Sequence, residues 1–157
     1  MIAYVPPLLF VLSWVFALIG WDAPGTDAST ASDEQALRWI LFLGMGWSLA
    51  GGSLSHTLFA RDTARAIGWQ TNGFQYEVGF ASLGIGLAGI YASSLDEPSA
   101  WIAASIAGGA FLALAGVNHV VEILRDRNFA PGNTAILISD FGVPISLFAL
   151  LLATGAI

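Results

Sequence analysis

The sequence contains no cysteine and no lysine, and only 10% of its residues are charged. Without cysteine, disulfides, thiolate metal sites and thiol catalysis are excluded. The five arginines form no patch dense enough to neutralise several phosphates, which excludes nucleic-acid binding. A soluble domain carries about 25% charged residues, so the scarcity of charge sets the class. What fills the chain instead is apolar: 56% of its 157 residues are hydrophobic and the mean hydropathy is +0.74. This balance describes an integral membrane protein with the lipid bilayer as its principal surroundings.

Five apolar runs, approximately residues 3–21, 37–60, 75–94, 101–124 and 134–156, can each cross the membrane. A hydrocarbon core of roughly 30 Å takes about 20 helical residues. The pattern predicts an all-α, multi-pass bundle forming a single domain over residues 1–157. The first run has the length of a signal peptide but no positively charged start, so it reads as an uncleaved span opened by Pro6-Pro7. Residues 22–35 form an acidic, small-residue loop, with Ser32 and Gln35 spaced as a capping box for the next helix. Asn133, after Ala130-Pro131-Gly132, is placed to cap the fifth helix.

Arginine placement sets the orientation. Antiparallel crossing puts Arg61, Arg65, Arg125 and Arg127 on one side with the N-terminus, and leaves Arg38 with six acids on the other. Positive residues stay inside, so the first side is cytoplasmic and the acidic loop 22–35 extracytoplasmic, as for a bacterial inner-membrane protein.

This topology gathers the ionisable residues. His56, Glu77, His119, Glu122 and Asp140 come from four spans, and at about 1.5 Å per residue all lie within roughly 5–10 Å of the cytoplasmic interface. His119 and Glu122 share a helix face. Charge inside a membrane is costly and marks a functional site by default. Small residues at helical spacing support convergence: Gly44, Ser48, Gly52 and His56; Glu77, Ala81, Gly84 and Ala88; Ser105, Gly108, Ala115 and His119. Pro144 frees the carbonyl of Asp140 and predicts a kink there.

Two imidazoles and three carboxylates without sulfur suit a divalent transition metal, Fe, Mn or Zn. Arg61, Arg65, Gln75, Asn118 and Arg125 are the supporting residues of this candidate site. Haem between His56 and His119 is less favoured, because three acids are poor neighbours for an apolar macrocycle. Three other readings use the same groups: local salt bridges (Glu122 with Arg125 or Arg61, Glu77 with Arg65), a proton- or ion-translocating relay, and an accessory subunit assembling as a homo-oligomer or within a larger membrane complex. Whether the chain is an enzyme is open at this level.

Gly68-Trp69, Phe74-Gln75-Tyr76-Glu77-Val78-Gly79, Asn128-Phe129-Ala130-Pro131-Gly132-Asn133 and Asp140 resemble a family of small bacterial integral-membrane proteins of unknown function. The likeness covers roughly residues 55–150, with Gln70-Thr71-Asn72-Gly73 standing where the family would have a proline- or serine-containing turn. The resemblance implies a helical membrane fold and assigns no activity.

Overall fold

The computed structural model describes residues 4–157, and Ala3, where the first predicted span begins, lies outside them. Helix α1 spans Val5–Leu18. After the acidic loop, α2 (Ser32–Trp39) continues without a break into a π-helical segment (Ile40–Trp47) and then α3 (Ser48–Thr57). A short α4 (Ala60–Ile67) precedes α5 (Gly73–Ser93) and α6 (Pro98–Asp126), and α7 (Pro131–Ala135) leads into α8 (Leu137–Ala153). The described residues contain no strand, so the all-α expectation holds. Two stretches are long and apolar enough to cross a membrane, Pro98–Asp126 and Pro131–Ala153, and Val5–Leu18 is a shorter apolar helix.

One end of the bundle is filled. Leu37, Ile40, Leu41, Met45, Val143 and Leu147 pack there with Trp101 from α6. Arg38 is 2% exposed beside this core, over the ring of Trp101 at 5.0 Å. It donates to the carbonyl of Gly25 at 3.1 Å and pairs with Glu34 and Asp96, tying the acidic loop and the α5–α6 turn to α2. Gly25 must be glycine twice over: its φ is +79°, and a Cβ would sit 2.6 Å from the carbonyl oxygen of Ser94.

The acidic loop is more ordered than its composition predicts. The side chain of Gln35 accepts from the backbone of Ala23 at 2.7 Å and from the hydroxyl of Thr26 at 2.6 Å, and donates to the carbonyl of Asp27 at 2.9 Å. Gln35 is therefore spent on the loop, and Ser32 begins α2 without capping it, so the expected capping box does not form. The Ser29 hydroxyl and backbone bonded to Asp27 hold that carboxyl below the usual carboxylate range. Asn72 caps α5, its side chain accepting from the backbone of Gln75 at 3.3 Å.

The small-residue stripes are partly re-registered. On α5 the packed face is Gly79, Ser82, Gly86 and Gly89, whereas Glu77, Ala81, Gly84 and Ala88 face outward. A Cβ on Gly86 would lie 2.7 Å from both the backbone nitrogen of Ala50 and the carbonyl oxygen of Gly46, so backbone meets backbone there. Along the continuous helix from α2 through the π segment to α3, Gly44 lies against α1, where a Cβ would meet Ser13 and Phe10, while Ser48, Gly52 and His56 line a cavity. The i→i+5 winding of the π segment widens each turn and breaks the four-residue alignment between Gly44 and the positions after it. The α6 set faces inward as expected.

Candidate functional site

Beyond Leu49 and Leu112 the core gives way to a cavity of about 400 Å³ between α3, α5, α6 and α8, with α4 across its end. Its polar groups are few: His56 from α3, His119 and Asn118 from α6, Asp140 from α8, and some hydroxyls. A mainly apolar cavity with a few convergent polar groups is the form that small-molecule sites take.

Local structure brings these groups together. The Thr63 hydroxyl donates to the carbonyl of Ser55 at 2.7 Å, holding α4 against α3. Helix α4 ends at Gly68, whose φ of +78° is left-handed, and the turn places the indole of Trp69 over His119. The two rings stack with centroids 5.4 Å apart and planes 20° apart. A Cβ on Gly68 would strike the side chain of Asn128, which donates to the carbonyl of Ile67 at 2.8 Å and so locks the α6–α7 loop to the end of α4.

Asn133 is fully buried and orients the imidazole. Its amide donates to the carbonyl of Asn128 at 2.9 Å, which leaves its Oδ1 as the acceptor for Nδ1 of His119 at 2.6 Å. Nδ1 therefore carries a proton, and in the neutral ring Nε2 carries the lone pair. Nε2 lies 3.9 Å from Oδ2 of Asp140, beyond hydrogen-bond range. Asp140 is 2% exposed, and this oxygen has no hydrogen-bond partner among the described residues. Gly116, whose absent Cβ would sit 3.0 Å from the Cβ of Asp140, lets α8 approach α6 closely enough for this pairing.

Three of the five sequence-predicted residues, His56, His119 and Asp140, line this one cavity. Glu77 is exposed on the outer face of α5, because the packed stripe of that helix is offset from it. Glu122 lines a second, shallower pocket with Trp69, Gln70, Asn72 and Asn118. Among the described residues no group of three histidine or carboxylate side chains is placed to hold a metal ion. Of the supporting residues, the amide nitrogen of Gln75 lies 3.5 Å from Nδ1 of His56 and donates to the carbonyl of Ala60 at 2.8 Å. Asn118 lines both pockets, and Arg61, Arg65 and Arg125 are exposed. Arg65 pairs with Asp62 at 3.4 Å, and neither Glu77 nor Glu122 forms an ion pair among the described residues. Asn133 does not cap the fifth helix: it lies inside α7, with its side chain turned to His119.

Trp69 and Asn128 take no part in the site predicted from the sequence, and Asn133 is expected only as a helix cap. Each lies within a short motif, Gly68-Trp69 or Asn128 to Asn133, and those motifs meet around His119.

Fold and site together define a helical bundle with an apolar cavity that carries an oriented histidine and an unpartnered carboxylate. The chain belongs to a family of unknown function, DUF6790, whose model matches residues 3–156. No curated protein and no solved structure matches it.

Proposed function

We propose that this is a five-crossing membrane protein whose cavity, on the arginine-rich cytoplasmic side, binds a small organic molecule with a largely apolar body. The bundle's outer surface supports the membrane reading: Leu8 and Val15 of α1, Phe80 and Leu87 of α5, Leu114 of α6 and Phe148 of α8 are all exposed. Apolar surface on that scale needs a lipid or protein cover. The observation that carries the ligand reading is the buried, unpartnered Oδ2 of Asp140 in a cavity of about 400 Å³. A buried polar atom without a partner is destabilising by about 1–3 kcal/mol, and a bound ligand relieves that penalty.

The test is thermal unfolding of the protein in lipid nanodiscs against a panel of phenylalkyl amines, alcohols and carboxylates. At least one class raises the midpoint in the wild type, and Ala115→Trp, which fills the cavity from α6, abolishes the rise. No shift with any class would sink the reading.

A divalent transition metal is the second reading. It is favoured by the 3.9 Å separation of Nε2 of His119 and Oδ2 of Asp140, which one ion of ordinary bond length could span, with His56 in the same cavity. Metal analysis after reconstitution with Fe, Mn or Zn decides it: stoichiometric metal lost in His119→Ala supports it, and its absence rules it out.

A further inference from the structure

We infer that the ligand of this cavity is a lipophilic amine, bound as its ammonium ion and admitted through the shallower pocket beside Trp69. The inference rests on the cavity being a ligand site and adds the ligand's charge and its route.

The hydrogen-bonding arrangement asks for a donor. With His119 neutral and Asp140 ionised, Nε2 and Oδ2 are both acceptors; they face each other across 3.9 Å, and no donor bridges them among the described residues. Nδ1 cannot rotate into the role, because it is bonded to Asn133. An ammonium group between the two atoms can donate one N–H to each, at ordinary hydrogen-bond lengths of about 2.8–2.9 Å. An alcohol has a single O–H and satisfies one of the two; a carboxylate satisfies neither and adds like charge.

The surroundings have matching polarity. No arginine lines either pocket, and their carboxylates are Asp140 inside and Glu122 outside. Trp69 and Asn118 belong to both linings, so the second pocket abuts the cavity and only those two side chains are common to both walls. Glu122 therefore stands where a cation would arrive, and the Trp69 ring offers an aromatic face on the way in. Trp69 is 36% exposed, follows the left-handed Gly68 and stacks on His119, and among the described residues its indole N–H makes no hydrogen bond, so its side chain is the wall between the pockets.

The probes are 4-phenylbutylamine, 4-phenylbutan-1-ol and 4-phenylbutanoate, three molecules of one shape. Binding to the full-length protein in nanodiscs of zwitterionic lipid is measured by calorimetry, with empty discs subtracted. The amine is expected to bind about tenfold or more tightly than the alcohol, and the carboxylate weakest. Asp140→Asn is expected to reduce amine affinity about tenfold while leaving the alcohol within about threefold. Stopped-flow tryptophan fluorescence reads the route: Glu122→Gln, at the mouth of the second pocket, is expected to slow amine association without changing that of the alcohol, and an unchanged amine rate overturns entry past Glu122. Equal or tighter binding of the alcohol in the wild type overturns the inference and leaves the cavity reading intact. Absence of binding by all three overturns both. The wild-type comparison stands by itself should Asp140→Asn fail to fold.

Discussion

Nδ1 of His119 donates to Oδ1 of Asn133 at 2.6 Å, across fourteen positions of chain and the α6–α7 turn. That bond converts a histidine that two tautomers could serve into one with a fixed acceptor, Nε2, turned towards Asp140. Replacing Asn133 by Ala strands Nδ1 of the buried His119, and the carbonyl of Asn128, in a partly buried position, loses its donor as well. The expected loss is about 1–3 kcal/mol for each stranded group. It is read as a lower thermal midpoint in nanodiscs, together with disappearance of the slowly exchanging Nδ1 proton in the NMR spectrum.

Arg38, at the other end of the bundle, and Arg65 on α4 form a controlled comparison. Glu34 and Asp96 retain contact with water, so little of the Arg38 contribution comes from stranded charge. The cost of Arg38→Ala arises from the unpaired carbonyl of Gly25, the lost stacking on Trp101 and the void left in the core. We expect about 2–4 kcal/mol from these sources together. Arg65, 80% exposed and paired with an exposed Asp62, should change stability by less than about 1 kcal/mol when replaced by Ala. Unfolding of the two variants side by side checks this, and equal losses would contradict it.

Two glycines on one helix should answer oppositely to the same substitution. At Gly86 a methyl group meets backbone atoms of Ala50 and Gly46 at 2.7 Å, and backbone cannot swing aside. Gly86→Ala is expected to destabilise by about 1–3 kcal/mol through separation of α5 from α3 and the π segment. At Gly84 nothing lies within 4 Å, so Gly84→Ala should be neutral or slightly stabilising, by up to about 1 kcal/mol from helix propensity.

These contrasts show what could be read from residues alone and what could not. The helical class followed from composition and long apolar runs. His56, His119 and Asp140 could be brought together because depth along a helix is a matter of counting residues from its end. Glu77 could not be excluded in that way. Its depth matches the others, but the face it occupies depends on whether Gly84 or Gly86 meets α3, and both lie in the same glycine-rich run. The break after Gly44 came from π-helical winding, for which the sequence carries no distinct signal. Trp69 and Asn133 were hidden for another reason: their roles depend on α4 folding back and on α7 turning inward, contacts between segments about fifty residues apart or more in the case of Trp69.

The five-crossing topology has its own test, made simple by the absence of cysteine from the chain. Gly25 packs on Ser94 and Arg38 reaches Asp96, so loop 22–31 and the α5–α6 turn share one end of the bundle. Asn128 bonded to Ile67 puts α4 and the α6–α7 turn at the other. Single cysteines at the exposed positions Ala28 and Ser99 should therefore behave alike, and those at Gln70 and Asp126 should behave alike and oppositely. In intact cells a membrane-impermeant maleimide is expected to label Ala28→Cys and Ser99→Cys and to leave Gln70→Cys and Asp126→Cys unmodified until the membrane is opened. The reverse pattern would keep five crossings and invert the orientation, placing the cavity on the outer side. Labelling of all four would mean that these ends do not lie on opposite sides of a bilayer, and the five-crossing proposal would fall even though the bundle itself remained intact.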